Sequence, residues 1–466
     1  MNENMERPKE VGHILVVSSP LQGHATPLFK LSHRMAKLGM KVTFLTMGLP
    51  EAEAGADAES AEWNEGMRII SLHSGLQVGG GWEDQKKLHG RIHTVIPSYM
   101  EELLTKKTQS ISGVIVDSAL AWMLAIPKKM GLKTAVFWCS NAGCLALGFK
   151  IPHLLQSKYI DQDGSPLKEE RIKLLADMPE MRESDLMWYF PTDKEIQKSM
   201  FHAIKGIVHH MAQADWIIGN WFHRLDPDAT TVTPNVLPLG PILASADAAA
   251  SSAQTLRAED SSCLDWLDAQ PPRSVVYVAF GSTARFSRRQ LDELEAALEM
   301  SGRRFLWVAW SGLTEGPEPA YSEEFAGRVG DRGRMVEWAP QEAVLGHAAT
   351  ACFVTHCGWN SFTESLSNGV PVVCWPYFGD QMYTQRCACE GWKVGLRLEA
   401  DEGGVVRRDE IRRRVEEIME DQIVKENAMS FMGMGRQSIA KGGSSSNNLD
   451  YLLKQMNYPR IYSLYQ

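Results

Sequence analysis

Apolar and polar positions near the start of the chain switch between two periods. His13–Ser19 is a short run rich in Val and Ile, and Ser19–His24 brings in Pro and Gly. Pro27–Leu38 then sets Leu28, Leu31, Met35 and Leu38 on one helical stripe that ends at Gly39, after which Lys41–Thr46 reads as a strand. Strand, turn, helix and strand in so short a span predict a βαβ unit, and with it a parallel sheet. Gly113–Val116 predicts another buried strand, Ala119–Met130 a helix stopped by Gly131, and Thr134–Trp138 a strand. The middle is less regular: Lys158–Arg182 is charged and holds the turn Asp161-Gln-Asp-Gly164. Leu239–Ser262 shifts toward Ala and Ser and reads as a linker. The α/β rhythm then restarts with a strand at Ser274–Phe280, a strong helix at Ser287–Met300 and strands at Phe305–Ala309, Met335–Trp338, Ala351–His356 and Val370–Trp375. Two α/β halves joined by a linker are the economical reading, and no short-period repeat is visible.

Composition narrows the classes. A chain of 466 residues suggests two or three domains at roughly 100–200 residues each. With 44% hydrophobic and 23% charged residues, collagen-like, disordered and disulfide-scaffold chains are excluded. The net charge of −9, without a long basic tract, argues against non-specific nucleic-acid binding. Eight cysteines are too sparse for a disulfide framework, and those in the strand-like runs Ala351–His356 and Pro371–Trp375 read as buried free thiols. That fits a reducing compartment. Met1–Glu10 lacks the apolar core of a signal peptide, no apolar run reaches the roughly 18 residues of a membrane helix, and Tyr462–Gln466 carries no retention or peroxisomal signal. The expectation is a cytoplasmic protein with no membrane insertion and no nucleic-acid partner.

Ligands of open parallel sheets bind beyond the carboxyl ends of the strands, so residues just after each strand are the chemical candidates. In the first half these are His24, at a helix start, and Asp117. Imidazole suits proton transfer near neutral pH, and a carboxylate on its second nitrogen would fix the tautomer. Equally, His24 could be a structural histidine and Asp117 an N-cap. In the second half, Trp338 to Gln381 is dense in polar groups at strand exits. His356, Asn360 and Ser361 stand at a strand-to-helix turn, where backbone N–H groups and the helix dipole favour a phosphate. Glu364, one turn on, could accept from sugar hydroxyls, or Ser361-x-x-Glu364 could be a capping box. Trp338 could stack on a flat ring or fill a core.

Other motifs read as bland. The first strand is not followed by Gly-x-Gly-x-x-Gly, and the chain has no Gly-x-x-x-x-Gly-Lys-Ser/Thr, which weakens the dinucleotide and NTPase readings. Asp161-Gln-Asp163 and Asp226-Pro-Asp228 read as surface turns. Cys387-Ala-Cys389 lacks a second ligand pair and reads as no metal site. Gly79-Gly80-Gly81 reads as a flexible loop.

Trp338–Gln381 resembles the signature segment of plant family-1 UDP-sugar-dependent glycosyltransferases, with nearly every fixed position at its spacing. Pro20-Leu-Gln-Gly-His24, Cys263-Leu-Asp-Trp-Leu and Val275–Ser282 resemble the same family, and the likeness runs along essentially the whole chain. It implies an α/β GT-B fold, two Rossmann-like domains facing across a cleft. Residues 1–240 would be the acceptor-binding domain, joined by a C-terminal helix at about 447–466. Residues 241–262 would be the linker and 263–446 the UDP-sugar-binding domain. His24 would be the catalytic base and Asp117 its partner. Trp338 would stack on uracil, Gln341 bind the nucleoside, and Glu364 hold the ribose. Ser282, His356, Asn360 and Ser361 would bind the diphosphate. Trp359, Asp380 and Gln381 would contact the sugar, and Ala339 and Gly358 complete the donor set. The implied enzyme is an inverting, metal-independent monomer with no cofactor, taking UDP-glucose as donor substrate and a small hydrophobic phenolic or terpenoid as acceptor. Gln381 is the family's association with glucose. Trp138, Phe149, Trp188, Tyr189, Phe190 and Cys139–Leu147 are candidates for the acceptor pocket. The chain departs from the family at Thr26 and Thr384, where Asn is common. The alternatives are a UDP-sugar-binding protein without transferase activity and, further off, a Rossmann oxidoreductase.

Overall fold

The apolar runs become buried strands, and the amphipathic segments between them become helices. The computed structural model describes residues 12–47, 63–72, 82–106, 111–243 and 260–457. Gly79-Gly80-Gly81, Met1–Glu10, Tyr462–Gln466 and 244–259 of the expected linker lie outside the described residues.

The chain begins with β1 (His13–Val17), α1 (Gln22–Lys37), β2 (Lys41–Met47), β3 (Met67–Leu72) and α2 (Trp82–Thr105). It continues with β4 (Ile111–Asp117), α3 (Ala125–Lys129), β5 (Lys133–Trp138), α4 (Ala142–Gln156) and α5 (Lys194–Met211). Then come β6 (Trp216–Gly219), β7 (Val236–Pro238) and α6 (Ser262–Asp268). The second α/β run is β8 (Val275–Ala279), α7 (Arg288–Ser301), β9 (Arg304–Val308), α8 (Glu323–Val329), β10 (Gly333–Val336) and α9 (Gln341–Gly346). It ends with β11 (Thr350–Thr355), α10 (Trp359–Ser367), β12 (Val372–Cys374), α11 (Gln381–Arg386) and β13 (Gly395–Arg397). Three helices close the chain: α12 (Arg408–Glu420), α13 (Gln422–Ile439) and α14 (Ser444–Asn457).

One sheet has the order β3-β2-β1-β4-β5-β6-β7 and the other β10-β9-β8-β11-β12-β13. Pairings among β1–β5 and throughout the second sheet are parallel. Both are doubly wound, and each reverses direction once, between β1 and β4 and between β8 and β11. In such sheets the crevice at that reversal is where ligands bind. By packing, the chain forms two compact units: Met1–Trp138 with His209–Ile218 and Asn447–Gln466, and Cys139–Val208 with Gly219–Ser446.

Helix α7 illustrates how sequence sets an element. Ser287 caps it by accepting from the Gln290 N–H at 3.3 Å, and Gly302 ends it in the left-handed region at φ +61°. Leu291, Leu294 and Leu298 face the core, in one cluster with Phe305, Trp307 and Val354.

Three expectations shift. Helix α1 begins five residues before Pro27, because the N–H groups of His24 and Ala25 already bond to the Leu21 carbonyl. His24 therefore lies inside the first turn. The helix expected at Ala119–Met130 is a 3-10 stretch over Ser118–Leu124 followed by the short α3. Strand β10, at the sheet edge, ends at Val336, leaving Trp338 two residues beyond it.

In the first unit, Leu449, Leu452, Leu453 and Met456 of α14 are buried. A Cβ on Gly113 of β4 would meet Met456 Cε at 2.9 Å and Cβ at 3.2 Å. We predict that Gly113→Val destabilises the chain by about 1–3 kcal/mol, the usual range for overpacking. Urea unfolding checks this, and Met456→Ala in the same chain should restore part of the loss. An unshifted midpoint would contradict the packing.

Candidate functional site

The reversal point of the first sheet carries a histidine and a carboxylate. Val17 of β1 pairs with Val116 of β4, so the exits of these strands are neighbours. Asp117 ends β4 with its side chain 0% exposed, and His24 stands in the first turn of α1 with 23% exposure. His24 Nδ1 lies 2.9 Å from both carboxylate oxygens. The Asp117 Oδ1 also accepts from the Ala119 N–H at 2.7 Å, so it caps the 3-10 stretch as well. Orienting partner and cap, set as alternatives above, are both realised. With Nδ1–H donating to the carboxylate, the basic lone pair of the neutral ring is on Nε2.

The reversal point of the second sheet is built from two turns. Thr355 pairs with Ala279, which brings the exits of β11 and β8 together. Gly281 follows β8 with φ +69°, and a Cβ there would stand 2.7 Å from His356 Nε2. Gly358 follows β11, and its Cβ would stand 2.3 Å from the same atom. The imidazole therefore occupies the space that two side chains would otherwise fill. Between them Cys357 is left-handed at φ +64°, a conformation a non-glycine residue holds at a cost and typically at functional sites. His356 is 8% exposed, burial pushes its pKa down to about 4, and its buried Nδ1 has no hydrogen-bond partner among the described residues. It is a neutral ring whose hydrogen bond goes to the Ala279 backbone. Ser282, beside Gly281, is half-buried in the same turn.

The turn feeds α10, whose N-cap Gly358 supplies no side-chain bond. Its first N–H groups are those a helix leaves without intrahelical partners. Ser361 is the third residue of α10, so it is no N-cap, and the capping-box reading fails. Instead Gln341 Nε2 donates to Ser361 Oγ at 3.0 Å and to Glu364 Oε2 at 2.7 Å, bringing three of the expected donor-binding residues together. Trp338 is half-buried, not a core residue, and Ala339 beside it is buried. Asn360 Oδ1 accepts from Asn220 Nδ2 at 3.4 Å.

Three residues expected at the sugar differ in what they can offer. Trp359 is 3% exposed, its indole N–H donates to the Asn220 carbonyl at 3.0 Å, and its ring stacks on Phe362. Its side chain is thus committed to the protein, which leaves its backbone at the helix start as the part suited to a ligand. Gln381 Oε1 accepts from the N–H groups of Tyr377 and Phe378 at 2.8 and 3.1 Å. Asp380 Oδ2 accepts from Ser140 Oγ at 2.5 Å.

Among the other sequence candidates, Asp161 closes its own turn by accepting from the N–H groups of Asp163 and Ser165. Asp226 is 1% exposed, which corrects its reading as a surface turn. Burial pushes the Cys387 thiol well up from its ordinary range. Trp188 is fully buried with its N–H on the Gly164 carbonyl and leaves the acceptor candidates for the core. Trp138 is also buried, while Phe149, Tyr189 and Phe190 are half-buried. Sequence reasoning gave Gly281 and Asn220 no role, and placed Ser140 and Asn141 only within the acceptor candidates Cys139–Leu147. All but Asn141 lie one or two residues after a strand, and Asn141 lies three after β5, so the strand-exit rule applied to every strand would have found them.

A family model described as UDP-glucoronosyl and UDP-glucosyl transferase matches residues 231–438. UDP-glycosyltransferase 83A1 of Arabidopsis thaliana is 33% identical over 467 residues, 96% of this chain and 97% of its own. Limonoid UDP-glucosyltransferase of Citrus unshiu is 28% identical over 95% of this chain and 89% of its own. Phytolacca americana UGT2, solved in complex with UDP-2fluoro-glucose and pterostilbene, is similar in structure, with a TM-score of 0.77 and 27% identity over 96% of this chain and 100% of that one.

The buried histidines make acid stability predictable. Burial, reinforced by Arg68 and Lys41, also lowers His13 from 6.5 to about 4. Between those values the unfolded chain binds protons at His13 and His356 that the folded chain refuses, so stability falls as pH drops. Urea midpoints should decline from pH 6.5 to pH 5, above the range where carboxylates titrate, and His13→Gln should flatten the slope. A flat or rising profile would contradict the burial of these rings.

Proposed function

The chain belongs to the plant family-1 UDP-glycosyltransferases, with their GT-B fold and a UDP-sugar donor, and on that premise we propose that it moves glucose from UDP-glucose to a hydroxyl of a small hydrophobic acceptor, with inversion to a β-glycoside. The observation that carries the reading is the His24–Asp117 pair at the reversal point of the first sheet, since a protein that only bound the donor would need neither.

In this mechanism His24 Nε2 takes the proton of the acceptor hydroxyl. Asp117, buried and held by the Ala119 N–H, keeps the ring in the tautomer that exposes this lone pair and stabilises the imidazolium that forms. The acceptor oxygen forms its bond to the anomeric carbon of the α-linked sugar as the bond from that carbon to the phosphate oxygen breaks. The electron pair leaves with UDP. Charge developing on the β-phosphate is met by the neutral His356, by Ser282, by Asn360 and Ser361, and by the N-terminal dipole of α10. This supply of fixed donors is what a metal-independent transfer requires. Glu364, already oriented by Gln341, accepts from the ribose hydroxyls, and Trp338 stacks on uracil.

Glucose is supported by Gln381 and by the glucosyl and fluoro-glucose compounds named for the relatives. A phenolic or terpenoid acceptor is supported by the limonoid and pterostilbene named with those proteins. Among the described residues no helix is long and apolar enough to cross a membrane. None of the eight cysteines is in a disulfide, which supports the cytoplasm as the site of action. We take the protein to act as a monomer.

UDP release from UDP-glucose with a mixed phenolic and terpenoid panel, products read by mass, tests the proposal. A hexose mass gain is expected, and His24→Ala should reduce the rate by about 10²–10⁴-fold. Near wild-type transfer by His24→Ala would remove the base, and donor binding without turnover would favour a binding protein.

A further inference from the structure

The short helix that presents Asp380 and Gln381 is not held by its own strand alone. Asp380 is the N-cap of α11, yet its carboxylate makes no capping bond. Its Oδ2 instead accepts from the hydroxyl of Ser140, a residue 5% exposed in the segment after β5. The neighbouring Asn141 is fully buried and fixed at both ends of its amide. Its Oδ1 accepts from the Cys144 N–H at 2.7 Å, and its Nδ2 donates to Thr384 Oγ1 at 3.1 Å. Thr384 in turn donates to the Asp380 carbonyl at 3.0 Å. One turn along, the Tyr383 hydroxyl donates to the Pro179 carbonyl at 2.8 Å, and its ring lies where a Cβ on Gly143 would be, 2.2 Å away. Arg386 closes the set on both carboxylate oxygens of the buried Asp185. Every turn of α11 is therefore tied to residues between 140 and 185, all within the second unit.

These ties differ in consequence. Those of Tyr383 and Arg386 hold the body of the helix. Ser140 touches the carboxylate itself, the group the proposed function sets against the sugar. A carboxylate on a freely turning side chain accepts from hydroxyls in many orientations. One with an oxygen fixed by a hydroxyl donor accepts along one direction, and direction is what separates sugars differing at a single carbon. We propose that Ser140 is a positioning residue for donor-sugar selection, acting through Asp380, with Asn141 and Thr384 setting the backbone from which that carboxylate projects. The inference rests on the reading that Asp380 contacts the sugar, and it assigns part of the donor choice to a segment outside the signature.

Calorimetric binding of UDP-glucose and of UDP to the full chain tests it, because UDP lacks the sugar. Ser140→Ala should weaken UDP-glucose about tenfold, the scale of one hydrogen bond to a charged group, and leave UDP unchanged. It should also narrow the preference for UDP-glucose over UDP-galactose. Ser140→Thr, which keeps the hydroxyl, should restore both. Asp380→Ala should weaken UDP-glucose but not UDP, and adding Ser140→Ala to it should cost nothing more. Equal weakening of UDP and UDP-glucose by Ser140→Ala, or additive losses in the double variant, would overturn the proposal. If Asp380→Ala leaves UDP-glucose binding intact, the sugar role of Asp380 fails, and the proposal fails with it for that separate reason.

Discussion

Much of the second unit is constrained by one steric fact: two turns leaving adjacent parallel strands share a single imidazole. Gly281 and Gly358 approach His356 Nε2 so closely that a side chain on either would occupy the ring's position. The left-handed Cys357 is the backbone consequence, because the chain must reverse out of β11 and enter α10 within three residues. Once that turn is set, the rest is placed. The N-terminus of α10 points along the strand exits, Ser361 and Glu364 come within reach of Gln341, and Asn220 holds Asn360 and the Trp359 indole.

The two sheets use the same topology for opposite electrostatics. At the reversal point of the first, a fully buried carboxylate is held against a partly exposed ring and fixes its orientation. At the reversal point of the second, burial without a carboxylate holds His356 neutral, with its pKa down to about 4. The proposed function uses the first histidine as the base and the second as a ring whose charge stays fixed. That division suits a transfer in which a proton is removed from one substrate while negative charge accumulates on the other.

The β-strands and α7 were legible because burial on both faces gives continuous apolar runs and because Ser287 and Gly302 punctuate the helix. The His24–Asp117 pair and the cluster of Gln341, Ser361 and Glu364 were legible because chemistry at strand exits leaves polar residues where apolar runs stop. The middle of the chain was read poorly. Helix α5 carries Phe201, Ile204, Val208 and Met211 at helical spacing and is capped by Asp193, which accepts from the Glu195 and Ile196 N–H groups at 3.0 Å, but its polar face is crowded with Lys and His. The commitment of the Trp359 side chain to Asn220 was not legible, because it depends on a contact 139 residues away. Nor was the tie of Ser140 to Asp380, because in the sequence Ser140 interrupts an apolar stretch among the acceptor candidates Cys139–Leu147, and it meets Asp380 only when α11 is packed against it.

Ligand-dependent stability gives the most direct test of the central claim, that the turn around His356 and the start of α10 form a uridine diphosphate site. Thermal unfolding of the full chain should shift upward with the logarithm of added UDP, the stabilisation reaching about 2.7 kcal/mol when UDP is at roughly a hundred times its Kd. NAD should leave the midpoint where it was. A midpoint that ignores UDP, or follows NAD instead, would contradict the assignment of the second sheet's reversal point.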